Sequence, residues 1–263
     1  MDYEINRVRT CGSTTEYLKF GKGGKTMVIL PGLSLVSVLT SAREIVNAYS
    51  VFTEKYTVYL FDRRKDVPKD YSVKDAAADI CSVLNVLGLK DVYLYGVSMG
   101  GMTAQKLAID CPELVVKLAL ASTLCKCDEN CKSVMNFWKN LAKTHDIARL
   151  NRSFFERIYS AETLLYNAEL FKRSENIGSV ADCEKFYVLA NSIENFDLSG
   201  EIGKIKCPTL VLGSENDRVV TLKSLTLIKS KVPCEMYLYK NFGHAVYDEA
   251  PDFKERIFEF FER

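Results

Sequence analysis

Ser98 stands in the run Asp91-Val92-Tyr93-Leu94-Tyr95-Gly96-Val97-Ser98-Met99-Gly100-Gly101. This is a G-x-S-x-G pattern with a short apolar run before it and a helical stretch, residues 102–108, after it. In a strand–turn–helix setting the tight turn forces the serine into a strained backbone conformation, and the flanking glycines remove side chains that would clash there. The hydroxyl is left exposed at a helix N-terminus, where backbone N–H groups point outward and favour negative charge. A serine hydroxyl is a poor nucleophile until a base takes its proton. The chain has two histidines. His145, between Thr144 and Asp146, reads as a solvated helix residue. His244, in Asn241-Phe242-Gly243-His244-Ala245, follows the last strand-like run, so its loop can reach over the serine, and it is the candidate general base. Such a base needs a carboxylate to hold its tautomer and stabilise the imidazolium. Asp217, in Gly213-Ser214-Glu215-Asn216-Asp217-Arg218, is favoured over Glu215 by its spacing from the preceding strand. The order Ser98, Asp217, His244 is the one that accompanies a nucleophile elbow.

An attacked carbonyl becomes an oxyanion, which needs preorganised donors. The N–H of Met99 is one. The second is expected from the loop Pro31-Gly32-Leu33-Ser34, where Gly32 admits close approach, Leu33 offers its N–H, and Ser34 offers either a hydroxyl to the substrate or a turn cap.

Those loops must hang from a sheet. Apolar strand-type runs are expected at residues 3–8, 15–20, 26–30, 57–61, 92–95, 118–121, 209–212 and 236–239. Helical spacing is expected at 42–52, 72–87 and 252–261, the second opened by a capping box of Ser72 and Asp75. Near-continuous apolar strands alternating with helices imply a mostly parallel sheet covered on both faces. Residues 124–200 break the alternation with helical segments at 136–148, 153–159, 161–171 and 180–191. The block departs from the C-terminal edge of the sheet, where α/β proteins bind ligands. Its aromatic residues, Trp138 among them, are expected to line a substrate pocket. The division is thus a core of residues 1–123 and 201–263 with an inserted cap of residues 124–200.

The chain has 263 residues, 48% of them hydrophobic, and a net charge of +1. Balanced charge without a basic patch argues against a nucleic-acid partner. The polar N-terminus and the lack of a run of about 18 apolar residues argue against a signal peptide and a membrane span. Nine cysteines read as reduced thiols of a cytoplasmic protein. Cys125, Cys127 and Cys131 form a C-x-C-x3-C cluster without a fourth ligand nearby, so no metal site is expected.

Four segments together resemble the α/β-hydrolase superfamily over nearly the full chain: Leu30-Pro31-Gly32, Gly96 to Gly101, Pro208-Thr209-Leu210-Val211-Leu212-Gly213 with Asp217, and Gly243-His244 with Glu249-Ala250-Pro251. The resemblance implies an α/β-hydrolase fold, a triad on Ser98, Asp217 and His244, oxyanion donors on Leu33 and Met99, and a helical cap after the sixth strand. Pro31-Gly32 replaces the His-Gly of many members, and Asp62-Arg63-Arg64 replaces Asp-x-Arg-Gly, which leaves the shape of that loop open. The expected activity is hydrolysis of a carboxylic ester or similar acyl compound, with Gly32, Ser34 and Trp138 as substrate contacts and no cofactor. Thioester or carbon–carbon hydrolysis, acyl transfer and perhydrolysis are the alternatives on the same triad, and a non-catalytic binding protein is the alternative outside catalysis. The expected partner is a small, hydrophobic acyl substrate, with the chain a monomer or homodimer.

Overall fold

The computed structural model describes residues 2–10 and 12–263; Met1, and Cys11 of the expected first turn, lie outside the described residues. Eight strands form one sheet: β1 (Tyr3–Thr10), β2 (Ser13–Phe20), β3 (Lys25–Leu30), β4 (Tyr56–Phe61), β5 (Val92–Val97), β6 (Val115–Ala121), β7 (Thr209–Ser214) and β8 (Cys234–Tyr239). Their spatial order is β1-β2-β4-β3-β5-β6-β7-β8. The first two strands are antiparallel additions, and β4, β3, β5, β6, β7 and β8 are parallel. Alternate strand residues feed two separate cores, as the two-residue period of a strand requires. Val28, Leu30, Leu94 and Leu120 face one, and Met27, Ile29, Tyr95 and Ala121 the other.

Helices α1 (Ala42–Ala48), α2 (Val73–Val86) and α3 (Met99–Asp110) connect the first parallel strands. Five more follow β6: α4 (Glu129–Lys143), α5 (Ile147–Ile158), α6 (Ala161–Tyr166), α7 (Ala168–Ser174) and α8 (Val180–Glu194). The chain closes with α9 (Leu222–Lys231) before β8, then α10 (Val246–Glu249) and α11 (Phe253–Glu262). α1 and α11 cover one face of the sheet; α2, α3 and α9 cover the other, where α4 and α8 also pack.

The expected capping box forms, with Ser72 accepting from the Asp75 N–H and Asp75 accepting from the Ser72 N–H. Other boundaries move for local reasons. The helix expected over 42–52 ends at Ala48 and gives way to a separate 3-10 turn, Ser50–Phe52. α4 starts seven residues before the expected 136, because Asp128 caps it by accepting from the Cys131 N–H at 2.9 Å. The helix expected over 161–171 is two, broken at Asn167, whose side chain donates back to the Thr163 carbonyl. α9, absent from the sequence reading, is announced by Thr221, which accepts from the Ser224 N–H. The expectation of uniformly reduced cysteines is corrected at one pair. Cys81 of α2 and Cys111 at the end of α3 form a disulfide with Cα atoms 7.0 Å apart, because packing of the two helices brings their side chains together.

β3 and β5 lie side by side, yet the chain leaves them in opposite directions, to β4 on one side and β6 on the other. A crevice opens at the C-terminal ends of two such strands. The loops that leave there are Pro31 onward and Val97-Ser98-Met99.

Candidate active site

Ser98 sits between β5 and α3 with φ of 50° and ψ of −116°. A non-glycine residue pays for such a backbone in strain. Its surroundings enforce it: a Cβ on Gly100 would lie 2.0 Å from the Leu30 carbonyl oxygen, so only glycine lets α3 approach β3 this closely. The Ser98 N–H donates to the Ala121 carbonyl at 2.9 Å, and its own carbonyl accepts from Met102 N and from Thr123 Oγ1. The backbone is thereby pinned to β6 while the side chain makes no helix cap and stays available.

His244 Nε2 lies 3.0 Å from Ser98 Oγ, and His244 Nδ1 lies 2.7 Å from Asp217 Oδ2. A carboxylate only accepts, so Nδ1 carries the proton and Nε2 is left to accept from the serine hydroxyl. The second Asp217 oxygen accepts from the N–H groups of Val219 at 2.7 Å and Val220 at 2.8 Å. Asp217 and His244 are buried and Ser98 half-buried. Such a relay can take a proton from the hydroxyl as it attacks and return it to a leaving group.

The loops carrying these groups are tied to one another. Ser122 Oγ donates to the His244 carbonyl at 2.7 Å, and Ser214 Oγ donates to the Phe242 carbonyl. Asn130 of α4 donates to the carbonyls of Arg218 and Val219, holding the far side of the Asp217 loop. Glu249 accepts from Gly243 N and Ser160 N, each at 2.8 Å, joining the His244 loop to the end of α5. The Ala245 N–H adds a bond to the Ile158 carbonyl at 2.8 Å.

Gly32 lies against the serine: a Cβ there would sit 3.2 Å from Ser98 Cβ. Arg63 fixes the Gly32 loop from behind. Its guanidinium donates to the Gly32 carbonyl at 3.1 Å, to Ser34 Oγ at 2.6 Å and to the Val36 carbonyl at 3.0 Å. Burial pulls this guanidinium below the usual arginine range, with Asp62, 3.6 Å away, and Asp182 opposing. The Gly32 carbonyl and the Leu33 N–H belong to one peptide group, so a cation on the carbonyl polarises that N–H as a donor.

Ser98 and His244 open onto a tight cavity of about 20 Å³. Leu33, Met102, Met135, Trp138, Phe154 and Ile193 are among the apolar side chains that line it. Trp138 is packed at 4.7 Å on Phe154, between ring centroids.

A family model described as alpha/beta hydrolase fold matches residues 25–251. The chain belongs to the α/β-hydrolase family. A relative from Agrobacterium fabrum named "Putative carbamate hydrolase RutD" is 22% identical, covering 99% of this chain and 97% of its own. A relative from Haemophilus influenzae named "Putative esterase/lipase" is 28% identical over 77% of this chain and 72% of its own. The solved structure of MGS-M2, an α/β-hydrolase enzyme from a deep-sea metagenome library, superposes with a TM-score of 0.89 at 21% identity, covering 98% of each chain. That likeness shows a shared fold. Curated relatives of this α/β hydrolase thus carry hydrolase names.

Within the α/β-hydrolase fold, the structure brings Ser98, His244, Asp217, Gly32 and Leu33 together, with Met99 as the first residue of α3. Trp138 lines the same cavity. Ser34 does not line this cavity but a neighbouring cleft, and its hydroxyl donates to the Val36 carbonyl at 2.7 Å and accepts from Arg63. Glu215 is exposed, and its N–H donates to the Tyr239 carbonyl. His145 is an exposed turn residue between α4 and α5, with φ of 56°, not a helix residue. Cys125, Cys127 and Cys131 are buried thiols, and burial pushes Cys125 up to about 11. Among the described residues no three His, Cys, Asp or Glu side chains converge as a metal would require. The sequence reading missed Arg63, Ser122, Thr123 and Glu249. Arg63 carried a signal as an arginine in the loop next to the expected oxyanion loop, and Glu249 as part of the Glu249-Ala250-Pro251 segment.

Proposed function

We propose that this α/β hydrolase is a serine hydrolase of carboxylic esters or closely similar acyl compounds, acting through an acyl-enzyme. The observation that carries the reading is the continuous Ser98–His244–Asp217 relay, with contacts of 3.0 and 2.7 Å, opening into an apolar cavity. In this reading Ser98 Oγ attacks the carbonyl as His244 Nε2 takes its proton. The oxyanion rests on the N–H groups of Leu33 and Met99, donors that typically contribute about 3 kcal/mol each to such a step. The imidazolium, matched by Asp217, then protonates the leaving alcohol. Water activated by the neutral imidazole clears the acyl group and frees Ser98.

In the same reading residues 124–200 are the cap over a core of residues 1–123 and 201–263. The support is that α4, α5 and α8 supply Cys131, Met135, Trp138, Phe154, Ile158 and Ile193 to the cavity wall. A small cavity with apolar walls suits a short or compact hydrophobic acyl group.

The test is covalent labelling with a fluorophosphonate, followed by peptide mass spectrometry and by turnover of acyl esters of graded length beside matched carbamates and thioesters. Modification confined to Ser98, with esters turned over fastest, is expected. No labelling of well-folded protein would overturn the reading.

A further inference from the structure

On the other side of the Gly32–Leu33 wall from the Ser98 cavity lies a larger cleft of about 360 Å³. Gly32, Leu33, Phe154, Ile158 and Tyr247 line both spaces, so these residues are what separates the cleft from Ser98. The cleft floor is apolar, from residues such as Ile29, Ile45 and Val97. Its walls carry the rings of Tyr49, Phe155, Tyr159 and Tyr247, and Asp248 is the one charged side chain on the lining.

The Asp248 carboxylate is poorly matched by its surroundings. The residue is exposed and lines the cleft. Its hydrogen bond to a side chain is a long one, from the Tyr159 hydroxyl at 3.4 Å. Among the described residues it has no ion-pair partner within 4.0 Å. Lys254 opposes its charge, but its ammonium donates to the Tyr247 carbonyl and stands 5.8 Å from the centre of the Tyr49 ring. Glu249, next in the chain, holds Gly243 N and Ser160 N and adds a second negative charge. Two carboxylates against one lysine leave a negative balance at this end of the cleft. Burial raises the Asp248 carboxyl above its ordinary range, with Lys254 opposing. A cation in the cleft would be attracted by the carboxylate and by the negative faces of the neighbouring rings.

We propose that this cleft is a subsite for a cationic nitrogen, an ammonium or quaternary ammonium group, carried by the substrate several bonds away from the carbonyl that Ser98 attacks. The subsite deepens the esterase reading and rests on it for the identity of the reacting group. Charge recognition itself can be measured without turnover.

Calorimetry with choline and with its neutral isostere, 3,3-dimethylbutan-1-ol, reads the charge alone. Wild-type protein is expected to bind choline at least about tenfold more tightly, and Asp248→Asn, which keeps the side-chain volume, should bring the ratio near one. Equal binding by wild-type protein, or a preference that survives in Asp248→Asn, overturns the subsite. Should Asp248→Asn fail to fold, Tyr159→Leu, which removes a ring from the cleft wall, must lower the wild-type ratio, and an unchanged ratio overturns the subsite. A parallel kcat/KM comparison of butyrylcholine with 3,3-dimethylbutyl butyrate separates the two claims. A choline preference without turnover of either ester rejects the esterase reading and keeps the subsite. Turnover of both esters at equal rates with no choline preference keeps the esterase reading and rejects the subsite.

Discussion

At the N-terminal end of the sheet Glu262 accepts from Lys25 Nζ at 2.8 Å, Lys55 Nζ at 2.6 Å and the Tyr56 hydroxyl at 2.6 Å. At the C-terminal end Asp217 also has three donors: Val219 N, Val220 N and His244 Nδ1. The two carboxylates differ in what balances their charge. Two lysines neutralise Glu262 at rest, in partial contact with water. Asp217 is shielded from solvent and held by neutral donors, so its charge is matched only when His244 takes up a proton. One end of the sheet satisfies its charge in the ground state. In the proposed mechanism the other reserves it for a charge that appears during the reaction, which is where preorganisation accelerates chemistry.

The comparison breaks first at the reactive end. Ser98→Ala and His244→Ala should each lower ester turnover by about 10⁴-fold or more while thermal melts stay cooperative. Asp217→Asn keeps the shape but presents the wrong tautomer to Ser98, and a loss of about 10⁴-fold in kcat is expected. A loss below tenfold would show that the Asp217 charge is not used. Arg63→Met should lower kcat by about 10–100-fold with little change in KM, because it removes the cation behind the Gly32–Leu33 peptide. Arg63→Lys should restore part of that loss, and equal falls in both variants would point to loop collapse instead.

The smallest effect belongs to the other end. Glu262→Gln should leave kcat unchanged and cost about 1–2 kcal/mol in urea unfolding at pH 7. Burial alone would raise this carboxyl, but the bonds from Lys25, Lys55 and Tyr56 hold it down to about 2. A group lowered in the folded state stabilises above its unfolded value of 4.5 and loses that contribution as pH falls towards 2. The gap between wild-type and variant stability should therefore narrow across that window. A gap independent of pH would show that the clamp is not electrostatic.

What the sequence made legible follows from how local each signal is. The elbow is a five-residue steric pattern, and the alternating strands state their own two-sided burial, so sheet and serine loop were readable. The positions of Asp217 and His244 were readable because each follows a strand end. The roles of Ser122, Thr123 and Glu249 were not, since each depends on a hydrogen bond to a partner 25 to 122 residues away: His244, Ser98 and Ser160. Asp128 escaped notice for a similar reason. Besides capping α4 it accepts from Thr221 and Ser224, and so joins α4 to α9.

Glu249 has a mechanical consequence. By gripping Gly243 and Ser160 at once, with the Ala245–Ile158 bond beside it, it rivets the end of α5 to the loop that carries His244. Any motion that lifted α5 would drag the imidazole off the serine. A doorway that leaves the relay intact must therefore open elsewhere. Ser160, which Glu249 holds, also caps α6, so the same grip fixes where that helix begins.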